Sequence, residues 1–283
     1  MNADTPSLRQ RWLGAKLAEL RQQADFTLLS DAAAQVGRST ASLSRIENGV
    51  VSIPPRDVPP ILDAYGVEDP RLRERLMIVA AEIQQERRGW WVEHGDVLSP
   101  SYIDLIRLEA SAREIWTYEV QIVPGLLQTD AYARAAALAS WEPSAEQLDE
   151  FVGVRMSRRA VLTRDEPAML RVVLGEAALR NRLGGRDAFR AQLAHLRECA
   201  GRPNISLQIL PFTDQPHPGI SGAFTVLRLP SLDVAHVELM SSDAYIEDED
   251  GVQQHVQAFE RLANLALPPS ASEGLISETI DKL

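Results

Sequence analysis

Cysteine is almost absent: Cys199 is the only one in 283 residues. No internal disulfide can form, and a reducing compartment is expected. No apolar run approaches the roughly 20 residues needed to span a bilayer. The opening MNADTPSLRQRW lacks the basic-then-apolar order of a signal peptide. The expectation is a cytoplasmic chain with no membrane contact. Catalytic signatures are missing as well. His94, His195, His217, His236 and His255 fall into neither an HExxH nor a Cys/His zinc spacing. There is no phosphate loop, no GxGxxG and no GxSxG. Neither an enzyme nor a metal or cofactor is therefore expected.

Excess positive charge is also lacking, with 29 Lys+Arg against 40 Asp+Glu and a net charge of -11. The imbalance is unevenly placed. Residues 1–92 hold 12 basic and 12 acidic side chains, and residues 93–283 hold 17 and 28. A nucleic-acid contact needs only a local basic face, and an acidic domain beyond a Debye length of about 10 Å is screened. What is plentiful is apolar residue, at 45%, enough for packed cores. The length suggests two domains.

Leu13, Leu17, Leu20 and Ala24 make an apolar helical stripe. A second helix follows Phe26-Thr27 and stops at Gly37, and a third runs from a Ser39 cap to Asn48-Gly49. The proline-rich stretch 53–60 leads into a fourth helix ending near Tyr65-Gly66. Pro70 opens a fifth, with the stripe Leu72, Leu76, Val79, Ile83. Beyond Gly89-Trp90-Trp91 the patterns change. Helices are expected over 101–120, 130–138, 144–162, 176–182, 187–200 and 252–265, with a short one near 273–283. Strands are expected over 169–174, 205–210, 223–229 and 235–239. The expected fold is multidomain: an all-α five-helix helix-turn-helix domain over residues 1–88, then an α+β domain over 89–283 with a small, mainly antiparallel sheet.

The first part carries the sharper chemistry. A helix-turn-helix needs a small residue where its two helices cross, a residue tolerating positive φ in the turn, and apolar anchors on the second helix. Ala33, Gly37, Leu43 and Ile46 fill those places. With Leu43 and Ile46 facing inward, Thr40, Ala41, Ser44, Arg45 and Asn48 face outward, toward a major groove. Thr40 and Ser44 can bond to several bases, Arg45 can reach guanine or phosphate, and the Ala41 methyl can touch thymine. Ser39 caps this helix, and Arg38 is placed for a backbone phosphate. The candidate DNA-binding residues are thus Arg38, Ser39, Thr40, Ala41, Ser44, Arg45 and Asn48, and the partner is double-stranded DNA with a palindromic operator.

The motifs Leu13-Gly14-Ala15, Leu20-Arg21 and S-R-I-E-N-G at 44–49 resemble the XRE family of lambda-repressor-like helix-turn-helix regulators. That resemblance implies a pairing of Glu47 with Arg21. It also implies a glutamine at the start of the second helix, where this chain has Leu28-Leu29. Further motifs lie downstream: Gly89-Trp90-Trp91, Leu108-Glu109-Ala110, V-P-G-L-L-Q-T at 123–129, Tyr132-Ala133-Arg134, Arg155, Arg158-Arg159, V-L-T-R at 161–164, E-A-A-L-R at 176–180, Gln192-Leu193, Leu210-Pro211-Phe212 and Val237-Glu238. Together they resemble the C-terminal domain of actinobacterial WhiJ-like, antitoxin-like transcriptional regulators. The resemblance implies a regulator often encoded beside a small acidic partner protein. A homodimer held by the second domain is expected, because the first has little apolar surface to spare and most homo-oligomers are twofold. The alternative is an antitoxin-like factor that mainly binds its small neighbour. Two readings of the second domain stay open: Pro124-Gly125 is a buried corner or a pocket wall, and Trp90, Trp91, Trp116 and Trp141 are core or pocket lining.

Overall fold

The computed structural model describes residues 6–86, 89–94, 98–140, 142–239 and 242–283. The chain divides into two compact units. The first runs to Arg107 and includes Pro230–Leu232, and the second comprises Leu108–Leu229 and Asp233–Leu283. The expected boundary at 88/89 abuts the undescribed pair 87–88, and the first unit runs on past it. Trp141 lies outside the described residues.

The first unit opens with α1 (Leu8–Gln23), α2 (Leu29–Gln35), α3 (Thr40–Glu47), α4 (Val58–Ala64) and α5 (Pro70–Glu86). Ser7 starts α1 with a capping box: its hydroxyl accepts from the Gln10 amide while the Gln10 side chain accepts from the Ser7 amide. The stripe read from sequence is the core. Leu13, Leu17, Leu20, Leu43, Ile46, Leu76, Val79 and Ile83 are all buried in one cluster with Ile53, Val58, Ile61 and Leu62. The turns follow glycine chemistry where it is needed. Gly37 ends α2 at φ 66°. Gly49 ends α3 at φ 70°, where a Cβ would also lie 2.9 Å from Arg11 Cα. Gly14 lets α1 cross α3, since a Cβ there would lie 2.5 Å from the carbonyl oxygens of Ile46 and Glu47.

The second unit is α+β. Strands β1 (Glu114–Glu119), β2 (Met169–Gly175), β3 (Ile205–Leu210), β4 (Phe224–Arg228), β5 (Asp233–Glu238) and β6 (Asp243–Ile246) form one mixed sheet in the order β3-β2-β1-β4-β5-β6. The β1–β2 and β2–β3 pairs are parallel, and the other three pairs are antiparallel. The parallel pairs need long crossovers. These are supplied by α7 (Asp130–Ser140) with α8 (Ala145–Arg158), and by α9 (Gly185–Ala200). The helix α10 (Glu249–Leu265) covers a core of Trp116, Tyr118, Val226 and Phe259, and α11 (Pro269–Asp281) follows.

The sheet is larger than expected by two strands, β1 and β6. The helix expected over 101–120 stops early, as α6 (Pro100–Ser111), and the rest is β1. Ile115, Trp116, Thr117 and Tyr118 are β-branched or aromatic and suit a strand. Because β1 is central, all four are buried, and the period-2 alternation that marks a half-buried strand is absent. The edge strand β6 is four residues long, too short to leave a periodic trace. The helix expected over 176–182 is a single 3-10 turn, Glu176–Leu179.

Candidate nucleic-acid interface

The turn before α3 is closed by backbone bonds from Gly37 to Ala34 and from Arg38 to Ala33 (2.8 Å). Ser39 then caps α3, its hydroxyl accepting from the Ser42 amide at 3.2 Å. Leu43 and Ile46 point into the core at 0% and 4% exposure, which fixes the rotation of the helix. Thr40, Ala41, Arg45 and Asn48 are consequently exposed, with Ser44 half-buried beside them. The side of α3 expected to face outward is thus exposed, with Ala41 as its apolar member.

The seven candidate residues are not equally free. Among the described residues the Arg45 side chain makes no hydrogen bond or ion pair, so its guanidinium is available to an incoming acceptor. Asn48 folds back, its Nδ2 donating to the Ser44 carbonyl at 2.8 Å, and so closes the end of α3. Arg38 lies beside the turn but is already paired, its Nη2 standing 2.8 Å from Asp57 Oδ2. Nothing local in the sequence marks this pair, because the partner is 19 residues away, behind the proline-rich turn.

The α3 helix is held from behind by an ion pair. Arg21 donates from Nε to Glu47 Oε1 (2.9 Å) and from Nη2 to Oε2 (3.1 Å), and its Nη1 bonds to the Phe26 carbonyl (2.7 Å). This is the pairing that the resemblance implied. The hydrogen bond to Glu47 raises the Arg21 pKa further. Burial, and then the Glu47 charge, push the neighbouring Tyr65 hydroxyl up to about 12. At the start of α2, Leu28 is 60% exposed and offers no side-chain cap. The glutamine implied by the resemblance has no counterpart there.

Motif residues of the second unit turn inward. Arg158 makes a two-bond pair with Glu109 (2.8 and 2.7 Å), both buried. Gln192, fully buried, accepts from the Thr129 amide at 2.7 Å and donates to the Leu127 carbonyl at 2.8 Å. The Pro124-Gly125 segment is a 3-10 turn whose Leu126 and Leu127 are buried, so it forms a packed corner. Trp116 belongs to the core against Phe259, at 5.4 Å between ring centroids. In the first unit Trp91 is buried and Trp90 is 38% exposed. Cys199 is buried, and burial raises its thiol pKa, which leaves it a poor nucleophile. At the end of β1, Glu119 is pushed up to about 8 by burial first and the charge of Glu238 second, with Arg155 opposing. The acidic run 247–250 supplies the Asp248 cap of α10. No group of three metal-ligating side chains occurs among the described residues, and no described helix is long and apolar enough to cross a membrane.

These features agree with the comparisons. Residues 12–76 match a family described as a helix-turn-helix domain, which supports a DNA-binding regulator. No curated protein and no solved structure matches the chain. Residues 102–278, well over half of the sequence, match the family described as a domain of unknown function, DUF5753. The chain therefore belongs to the DUF5753 family and carries a helix-turn-helix domain ahead of its family domain.

Proposed function

We propose that this protein is a cytoplasmic, sequence-specific transcription regulator of the XRE type that binds a palindromic operator as a homodimer. It acts as a binding protein and not as an enzyme. One observation carries the reading: α3 is rotated by its buried Leu43 and Ile46 so that Thr40, Ala41, Ser44 and the unpaired Arg45 form its outer face. Such a face suits a major groove, where arginine reads guanine and hydroxyls read several bases. Arg38 and Ser39 stand at the end of α3 that would meet the phosphates, and Asn48 closes the other end.

In this reading the DUF5753 domain holds the dimer and receives a partner or effector, in the manner of the antitoxin-like WhiJ-type regulators. Joining two modules raises apparent affinity through effective concentration, without a new type of contact. A partner would then act by its different affinity for the two spacings of the modules. The test is selection of bound duplexes from a random pool, with and without the protein encoded alongside, combined with sedimentation of the free chain. A recovered palindrome and a dimer support the proposal. A chain that enriches no sequence refutes it, and capture of the neighbour without DNA enrichment favours the antitoxin-like alternative.

A further inference from the structure

Asp57 stands between two arginines at the flank of the candidate DNA face. Its Oδ2 is 2.8 Å from Arg38 Nη2, and its Oδ1 is 3.7 Å from Arg56 Nε. The carboxylate has no other duty in the backbone. Asp57 sits at the N-cap position of α4, yet its side chain makes no capping bond. The exposures separate this pair from a buried strut. The Arg38 and Asp57 side chains are 26% and 35% exposed, and Arg56 is 87% exposed, whereas Glu47 behind α3 is 7% exposed. A pair as open as Arg38–Asp57 adds little stability, so another anion can displace it at little cost. Arg38 directly precedes the Ser39 cap, which puts that exchangeable arginine at the end of α3 nearest the phosphates of a groove-bound duplex.

We infer that Arg38 and Arg56 form a site for a backbone phosphodiester of DNA, and that Asp57 occupies this site in the free protein as an intramolecular stand-in for the phosphate. The inference rests on the DNA-binding reading and deepens it. When a phosphodiester oxygen replaces the carboxylate at Arg38, the arginine exchanges one ionic partner for another, while the displaced Asp57 is left facing a polyanion. Asp57 thus lowers affinity for every sequence and reduces the number of counterions released, without changing which sequence is preferred.

The test measures binding of the full chain to the duplex recovered by selection and to a random duplex of equal length, between 50 and 300 mM salt. Each phosphate neutralised contributes about 0.9 to the slope of log K against log salt. Asp57→Asn should therefore bind both duplexes about 3- to 10-fold more tightly at 0.1 M salt, with a slope steeper by about one. Adding Arg38→Gln should abolish the gain. Arg38→Gln alone, which stands in should Asp57→Asn fail to fold, should weaken both duplexes alike and flatten the slope by about one. If Asp57→Asn or Arg38→Gln folds and binds with unchanged affinity and slope on a duplex that the wild type binds, the stand-in is overturned and the DNA reading survives. If the wild type binds neither duplex, the DNA reading falls and the inference with it.

Discussion

Replacing Glu47 with alanine tests whether the back of α3 is held by charge. The Glu47 carboxylate receives two bonds from Arg21, at 2.9 and 3.1 Å, and the two side chains are 7% and 11% exposed. Truncation removes both acceptors and leaves a buried guanidinium with only the Phe26 carbonyl. Breaking a buried pair from one side costs about 3–5 kcal/mol, and the surviving carbonyl bond sets the expectation at the low end, about 3 kcal/mol. For a helical unit of this size each kcal/mol lowers Tm by about 4–8 °C, so a fall of at least about 12 °C is expected. Amide exchange in α1 and α3 should locate the loss there. The double replacement Arg21→Met with Glu47→Leu should cost less than Glu47→Ala, because no charge is left unpaired. An independent readout is Tyr65. The Glu47 charge raises its pKa and Arg21 lowers it, so its titration should move down from about 12 in Glu47→Ala. A cost under about 1 kcal/mol would place the pair among exposed ones and refute the strut.

Arg45→Ala should weaken operator binding by about 1–3 kcal/mol and relax preference at one base position; an anisotropy titration showing unchanged affinity and preference would remove Arg45 from the interface. Gly14→Val places a side chain within 2.5 Å of the Ile46 and Glu47 carbonyls, so a thermal melt should show the first unit losing at least about 1–3 kcal/mol, and a wild-type melt would contradict the close helix crossing. Glu119 titrates at about 8 in the folded chain against an ordinary 4.5, so the folded state binds more protons between those values. Stability of the second unit should fall as pH rises from about 4.5 to 8 and level off above. Urea midpoints across that range should flatten in Glu119→Gln, and an unchanged pH dependence would exclude Glu119 as its source.

The first unit was nearly legible because each of its elements is fixed by neighbours in sequence. Leu13, Leu17 and Leu20 recur at helical spacing, Gly37 and Gly49 mark turns needing positive φ, and Ser39 caps where capping chemistry puts it. Legibility failed where the deciding partner is distant in the chain. The strand-favouring residues of Glu114–Glu119 carry no period-2 alternation to announce a strand. Its hydrogen-bond partners begin at Met169 on one side and Arg228 on the other, and with both faces covered its apolar run reads as readily as helix. The same reason hid Asp57, which meets Arg38 only after the chain has passed through α3 and the proline turn.

Distance in sequence also bears on what the downstream motifs mean. Arg158 and Glu109 are 49 residues apart and Gln192 and Thr129 are 63 apart, yet each pair is joined by two bonds. A buried arginine paired by two bonds cannot become lysine without losing one of them. A buried glutamine that both accepts and donates cannot become leucine without leaving a backbone amide unpaired. Residues so constrained hold a fold together whatever ligand it serves, so motifs built from them can identify a domain without naming its partner. On the outer face of α3 the constraint is reversed. Thr40, Ala41 and Arg45 are exposed and make no demand on the core, so under the proposed reading their identities answer to the DNA. The outer face of α3 is therefore where the residues speak of function, and the paired motifs of the DUF5753 domain speak of its fold.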